Sequence, residues 1–235
     1  MLLTVDGAGV YAYTGARALD AALPTVVFVH GAAHDHSVWA LQSRYFAHHG
    51  SNVLAVNLPA HGRSGGAPLV SIEAIADWIP RVLDAANVDR AAVVGHSMGS
   101  LATLACAARH RERVSKIALV GPAVPMPVSD ALLAAAQEDN HVAFEWINSW
   151  SYSAGKQLGG NQVPGMWMTG SALRLLERTR PGILHADLLA CHGYSTGLDA
   201  AAEVHCPTLV ILGARDIMAP NRNARALIEA LADKR

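Results

Sequence analysis

Short apolar runs alternate with stretches of helical periodicity along most of this chain. Thr25–Val29 and Lys116–Val120 are nearly continuous in apolar residues, as expected of strands that are covered on both faces. Two shorter runs near the start flank Gly7-Ala8-Gly9, which predicts a hairpin at one edge of a sheet. The other predicted strands are Asn52–Asn57, a run that includes Val93-Val94, and Thr208–Gly213. The pattern indicates a sheet of mostly buried strands with helices between them.

Helical periodicity fills two kinds of segment. Between the early strands the sequence predicts helices over Val38–His49, after a cap at Ser71, and over Met98–His110. Residues 122–203 hold no strand-like run but several helical stretches, near Ser129–Glu138, His141–Trp150, Ser171–Arg178 and Ile183–Cys191. We therefore expect a core of residues 1–121 and 204–235, with residues 122–203 inserted as a helical lid.

The composition is that of a globular chain whose partners are small molecules. Its 235 residues are 51% hydrophobic and 16% charged, enough to bury a large core. A net charge of -1 gives no basic excess, so we expect neither nucleic acid nor a membrane surface as a partner. The odd number of cysteines and the absence of a signal-peptide pattern favour reduced thiols and a cytoplasmic location. The sequence leaves a homo-oligomer open.

The stretch with the clearest chemistry is Gly95-His96-Ser97-Met98-Gly99, which follows an apolar strand and opens a helical pattern. A tight turn from strand to helix is the geometry of a nucleophile elbow, which lifts a serine oxygen above the sheet. The helix that follows aims backbone N–H groups at that oxygen. Because the two glycines keep side chains out of the turn, the stretch predicts that Ser97 is a nucleophile.

Three further segments extend this motif into a longer pattern. The strand Thr25–Val29 ends in His30-Gly31-Ala32, a second strand ends in a loop from Asn57 to Ser64, and a third is followed by Asp216. In this order the four segments resemble the α/β-hydrolase superfamily, in particular its lidded esterase-like members. The resemblance implies an α/β fold with a doubly wound, mostly parallel sheet (the α/β-hydrolase fold) and a helical lid insertion.

The resemblance also implies roles for individual residues. Ser97 would be the nucleophile and Asp216 the acid of a catalytic triad, while the backbone N–H groups of Ala32 and Met98 would form the oxyanion hole. No metal or organic cofactor is required. The loop after Asn57 departs from the family's pattern at Asn57 and Ala60, where the family has Asp and Gly, but this loop is usually structural.

The family's chain order places a histidine after the acid, where it takes the serine proton and returns it to the leaving group. The last of the twelve histidines here is His205, which precedes Asp216. We therefore expect the chain to end before the final strand, histidine loop and helix of this fold, leaving the outer edge of its last strand unpaired. His34 and His36, on the loop after Gly31, are the alternative bases, whereas His96 is expected to point away from Ser97.

These features predict a carboxylesterase-like serine hydrolase that forms an acyl-enzyme on Ser97 and acts on small apolar esters. Its candidate pocket residues are Met126, Trp146, Trp150 and Trp167 of the predicted lid, together with His36. Two alternatives stay open. One is carbon–carbon bond hydrolysis of diketone-like compounds by the same residues; the other, motivated by the missing histidine, is a protein that binds a small molecule without catalysis.

Overall fold

A single mixed sheet forms the centre of the protein, whose computed structural model describes residues 1–160 and 165–235. The strands are β1 (Leu2–Val5), β2 (Ala8–Tyr13), β3 (Thr25–Val29), β4 (Asn52–Val56), β5 (Ala91–His96), β6 (Val114–Val120) and β7 (Thr208–Ile211). In the described residues these seven strands are ordered β1-β2-β4-β3-β5-β6-β7. β1 and β2 pair antiparallel, as do β2 and β4, and the other pairings are parallel. The mostly parallel sheet with a hairpin at one edge is therefore confirmed.

Helices cover both faces of this sheet and build a separate layer above it. They are α1 (Ala40–His48), α2 (Ile72–Ala85), α3 (Met98–Arg109), α4 (Asp130–Gln137), α5 (Val142–Trp150), α6 (Ala154–Gln157), α7 (Met168–Leu176), α8 (Ile183–Gly193), α9 (Gly197–Ala202) and α10 (Arg225–Ala230). Because neighbouring side chains of a strand point to opposite faces, Phe28 of β3 packs with Trp39 on one side, while Val27 and Val29 join α2 and α3 on the other. Among the described residues, no helix is long and apolar enough to cross a membrane.

Side-chain caps fix two of the helices that flank the sheet. The Asp35 carboxylate accepts a hydrogen bond from the Ser37 N–H at 2.8 Å and caps a short 3-10 turn, His36–Trp39, which leads into α1. The Ser71 hydroxyl oxygen accepts from the Ala74 N–H at 3.1 Å and opens α2, as predicted. The helix predicted from Val38 therefore begins as a tighter turn, which changes the direction of the side chains near its start.

The predicted lid divides into two parts in the structure. Helices α4, α5, α7 and α8 share an apolar cluster of their own, which also includes Ala33. The end of α8 and helix α9 belong instead to the main core, because Cys191, Tyr194 and Ala201 are buried there. Within the range 122–203, residues 161–164 lie outside the described residues. In the described residues the separate helical cluster thus extends to Leu188, whereas Ala190 already belongs to the main core.

The last residues of the chain pair with the outer edge of β7. The Thr208 N–H donates to the Asp233 carbonyl at 2.9 Å, the Arg235 N–H donates to the Thr208 carbonyl at 2.9 Å, and the Val210 N–H donates to the Arg235 carbonyl at 3.0 Å. Thr208 and Lys234 form a parallel bridge. The expectation that this edge is unpaired is wrong, because the chain after α10 runs parallel to β7 and takes up its backbone groups.

Candidate active site

Ser97 lies in the sharp turn that joins β5 to α3, at φ 52° and ψ -119°. A positive φ is costly for a residue with a side chain and persists only where neighbouring groups hold it. Here the Ser97 N–H donates to the Val120 carbonyl at 2.9 Å, and the Ser97 carbonyl accepts from the Ser100 N–H at 2.8 Å and from the Ser100 hydroxyl at 2.6 Å. These bonds hold Ser97, which is half-buried, at the carboxyl end of β5 in the predicted elbow geometry.

The two glycines of the motif make this turn sterically possible. A Cβ atom on Gly95 would lie 2.0 Å from the Gly99 carbonyl oxygen, and one on Gly99 would lie 2.4 Å from the Val29 carbonyl oxygen. Both distances are far inside van der Waals contact, and the obstructing atoms belong to the backbone. Any larger residue would therefore push β3, β5 and α3 apart, so the close packing of the elbow requires glycine at both positions.

Two backbone N–H groups beside Ser97 are available to bind an anion. Met98 is the first residue of α3, so its N–H has no partner within the helix. In the part of the chain that the structure describes, neither the Met98 N–H nor the Ala32 N–H donates to a protein acceptor. Residues Gly31–His34, which we call the oxyanion loop, lie against the elbow, since a Cβ atom on Gly31 would be 3.2 Å from the Ser97 Cβ. The structure thus places the oxyanion loop beside Ser97, and the donor roles of Ala32 and Met98 stay a prediction.

Asp216 lies in the turn after β7 and faces the same region with one of its two oxygens. Its Oδ1 accepts hydrogen bonds from the Met218 N–H at 2.9 Å and the Ala219 N–H at 2.8 Å, which fixes the carboxylate. Its Oδ2 lies 3.8 Å from the position that a Cβ atom would take on Gly121, and the His96 Nε2 lies 4.0 Å from that same position. One oxygen is therefore structural, while the other faces the gap beside the His96 ring.

The His96 ring lies between the oxyanion loop and Asp216, and in the described residues it forms no hydrogen bond to Ser97, so the expectation that it points away from Ser97 stays a prediction. Its Nδ1 lies 3.2 Å from the Cβ position of Gly31, and its Nε2 borders Gly121. Burial lowers the pKa of His96 to about 4, nearby His34 lowers it further, and Asp216 opposes both. His96 is therefore a neutral ring at neutral pH.

The two histidines of the loop after Gly31 have different surroundings. The His34 Nδ1 donates to the Ala32 carbonyl at 2.6 Å, and its ring meets that of His96 edge-on with centroids 6.3 Å apart. Burial lowers the pKa of His34 as well. His36 instead contacts Asn57 Oδ1 through both its backbone N–H and its Nδ1, each at 2.8 Å, and its ring packs edge-on against Tyr11. His36 is thus held by Asn57 and Tyr11 at the start of the 3-10 turn, and its assignment to the substrate pocket stays a prediction.

The lid aromatics lie farther out than the sequence predicted. Trp146 packs on the lid cluster and stacks on Trp150 with ring centroids 6.0 Å apart, and Trp150 is 37% exposed. Trp167 is 72% exposed and covers Gly170 at the start of α7. Met126 packs at the margin of the main core. Trp167 is therefore mostly exposed in the described residues, and the assignment of these four residues to a pocket stays a prediction.

Sequence reasoning missed a cluster on the other side of the oxyanion loop. Asp187 of α8 is 1% exposed, and its Oδ2 accepts the Ala33 N–H at 2.8 Å and lies 2.8 Å from the His61 Nε2. The Thr179 hydroxyl donates to the Ala33 carbonyl at 2.9 Å. Burial alone would lower the pKa of His61, but the Asp187 carboxylate and the Pro59 carbonyl together outweigh it and raise that pKa above its usual 6.5. The available sequence cue was a single acid within the apolar run of α8.

Comparisons with known proteins agree with this architecture. The model of the family described as alpha/beta hydrolase fold matches residues 24–142. The chain is 31% identical over 227 residues to a pimeloyl-[acyl-carrier protein] methyl ester esterase of Chromobacterium violaceum, covering 89% of this chain and 83% of that protein. It is 23% identical over 210 residues to an (E)-2-((N-methylformamido)methylene)succinate hydrolase of Acinetobacter baylyi, covering 87% of this chain and 76% of that protein.

Solved structures show the same fold. The enol-lactonase from Burkholderia xenovorans superimposes with a TM-score of 0.86 at 23% identity, covering 100% of this chain and 89% of that one. An esterase from Exiguobacterium antarcticum superimposes with a TM-score of 0.83 at 18% identity, covering 100% of this chain and 88% of that one. At these identities the likeness concerns the fold alone.

Proposed function

Because the chain belongs to the α/β-hydrolase fold family, with esterase-like relatives, we propose that it is a serine hydrolase of small carboxylic esters that forms an acyl-enzyme on Ser97. One observation carries the proposal. Ser97 is held in a strained strand-to-helix turn, with the Met98 N–H at the helix start and the Ala32 N–H on the adjoining loop both lacking a protein acceptor in the described residues. This arrangement suits a reaction that builds negative charge on a carbonyl oxygen.

The proposed reaction proceeds through two tetrahedral intermediates. The Ser97 oxygen attacks the ester carbonyl carbon while its proton passes to a base, and the Ala32 and Met98 N–H groups donate to the oxyanion. The carbonyl then reforms, the alcohol leaves with the proton, and the acyl group stays on Ser97. Water attacks the acyl-enzyme in the same manner and releases the acid. Each oxyanion donor contributes about 3 kcal/mol to the transition state.

The candidate bases of the proposed site are the rings of His96 and His34. Asp216 Oδ2 faces the region of the His96 ring, and the His34 ring lies beside His96. Neither ring forms a hydrogen bond to Ser97 or Asp216 in the described residues, the His34 Nδ1 is committed to Ala32, and a pKa of about 4 makes His96 a weak base. We therefore propose that neither ring acts as an efficient base, so the 235-residue chain turns over slowly unless a base is added.

Added imidazole tests both the nucleophile and the base. We expect a fluorophosphonate probe to label Ser97, as identified by peptide mass spectrometry, and imidazole to raise p-nitrophenyl butyrate hydrolysis by at least about tenfold. The matched control Ser97→Ala should show neither the label nor the stimulation. Labelling at another residue, or none with imidazole present, contradicts the proposed nucleophile. Fast turnover without imidazole that is lost in His34→Gln or His96→Gln would make that histidine the base.

The apolar character of the acyl group is proposed from the lid. Trp146 and Met126 are partly buried apolar side chains of the segment above the elbow. The similarity to a methyl ester esterase supports an ester substrate. A series of nitrophenyl esters from acetate to octanoate tests the proposal: kcat/KM should increase with acyl length over the first few carbons by about threefold per CH₂. A flat or falling series would contradict an apolar acyl site.

A further inference from the structure

Hydrogen bonds to two successive peptide groups hold the oxyanion loop in shape. The Gly31 carbonyl accepts the His30 Nδ1–H at 2.8 Å and the His34 N–H at 3.3 Å. His30 keeps this role because its Nε2 accepts the Leu58 N–H at 3.1 Å, so the proton lies on Nδ1. In a planar trans peptide the N–H points opposite to the C=O. The bonds to the Gly31 carbonyl therefore turn the Ala32 N–H outward, as an oxyanion donor requires.

The next peptide group is held from the lid. Its carbonyl, that of Ala32, accepts the His34 Nδ1–H, and its N–H, that of Ala33, donates to Asp187 on α8. Ala33 has φ 55°, in the left-handed region that is costly for a residue with a side chain. The Ala33 carbonyl on its other side accepts the Thr179 hydroxyl. Both backbone polar groups of this strained residue are thus bound by residues of the inserted segment.

Asp187 is suited to this task because the adjacent His61 ring compensates its buried negative charge. The His61 ring faces acceptors at both nitrogens, the Pro59 carbonyl at 2.9 Å and Asp187 at 2.8 Å, so its protonated form satisfies both. The same Oδ2 of Asp187 binds His61 and the Ala33 N–H. A single buried oxygen therefore joins α8, the loop after β4 and the oxyanion loop.

We infer that Asp187 is a positioning residue for the oxyanion hole. From α8 of the lid it accepts the Ala33 N–H, and this bond holds the oxyanion hole in its active shape. The inference rests on the proposed function of Ala32 as an oxyanion donor. The oxyanion hole is then complete only when α8 is packed in its place against the oxyanion loop. A purely structural anchor would change stability alone, whereas a positioning residue changes kcat with little effect on KM.

Three variants of the full chain separate these roles, all assayed with imidazole. Asp187→Leu removes the acceptor at similar volume, and we expect kcat and the rate of fluorophosphonate labelling to fall by about 10²-fold with KM within about twofold. Asp187→Asn keeps an oxygen acceptor and should restore labelling to within about fivefold of wild type. Asp139→Ala is the control, since Asp139 accepts the Gly182 N–H at the start of α8 at 2.7 Å and does not touch the loop; its labelling rate should stay within about twofold.

A second pair of variants covers the case in which Asp187→Leu does not fold. Thr179→Val removes the hydroxyl that holds the Ala33 carbonyl and should slow labelling by about tenfold, while Thr179→Ser should restore it. The inference is overturned if folded Asp187→Leu labels at the wild-type rate, if Asp139→Ala loses as much activity, or if Thr179→Val and Thr179→Ser are equal. Absence of Ser97 labelling in the wild type is a distinct result, which overturns the proposed function and this inference with it.

Discussion

The two proposed oxyanion donors are backbone N–H groups, so of the twenty residues only proline removes them. Met98 is fully buried and is the first residue of α3, a position at which proline fits a helix but supplies no N–H. We expect Met98→Pro to lower kcat for p-nitrophenyl butyrate by about 10²–10³-fold. Met98→Ala keeps the N–H and should lose stability with a much smaller loss of kcat. A cooperatively folded Met98→Pro protein that matched Met98→Ala in kcat would remove Met98 from the oxyanion hole.

His96 gives a second test at the level of one residue, through its protonation. Burial, followed by the influence of His34, lowers its pKa to about 4 in the folded protein, against 6.5 for an exposed histidine. Between these two values the unfolded chain binds a proton that the folded chain does not, so stability is lost as pH falls from about 6.5 through about 4. His96→Gln should make the Tm depend less on pH between about 4 and 6.5. A ring NMR titration with a midpoint near 6.5 would contradict the buried position of His96.

Residues with a distinctive local context were predictable from the sequence, whereas those with distant partners were not. The elbow around Ser97 and the His30-Gly31-Ala32 segment are visible as motifs because their roles depend on neighbouring glycines and on strand ends. Asp187 has its partners Ala33 and His61 at separations of 154 and 126 residues. Such a contact is created by the packing of the lid, so only the structure shows it.

At the level of elements, the strands matched the prediction more closely than the short turns did. β3 has the predicted bounds because a continuous apolar run has few alternatives to a buried strand. The helix predicted from Val38 is preceded by a 3-10 turn that begins at His36, and such a turn rotates side chains differently from an α-helix. The His36 side chain therefore faces Asn57.

The contact between α8 and the loop after β4 carries a pH-dependent contribution to stability. Burial lowers the pKa of His61, but the attraction and hydrogen bond of Asp187, with the hydrogen bond to the Pro59 carbonyl, together raise it above 6.5. The stabilisation from this pair is therefore fully present below about pH 6.5 and is lost as pH rises through the folded pKa. His61→Gln, which cannot carry the charge, should melt lower than wild type near pH 6, and the difference should shrink towards pH 8.5. A difference that grew with pH would contradict a charged His61.

Over the whole molecule, the sheet ends in a way that the sequence did not predict. The absence of the family's final strand predicted an unpaired outer edge for β7, but the residues after α10 lie beside it in parallel. The sequence could not show this, because residues 233–235 are polar and carry no strand pattern of their own. Their pairing depends on backbone groups, which every residue has.

This pairing should protect the protein against self-association. Deleting residues 233–235 removes the acceptors of the Thr208 and Val210 N–H groups and bares an edge on which Leu209 and Ile211 are each 45% exposed. With a loss of about 2 kcal/mol from these bonds, Tm should fall by about 4–8 °C, and the shortened chain should elute earlier from a sizing column as its concentration rises. The control Arg235→Ala keeps the backbone pairing and should behave as wild type. A deletion variant with unchanged Tm and unchanged elution would show that the pairing contributes nothing to the stability of β7 or to the protection of its edge.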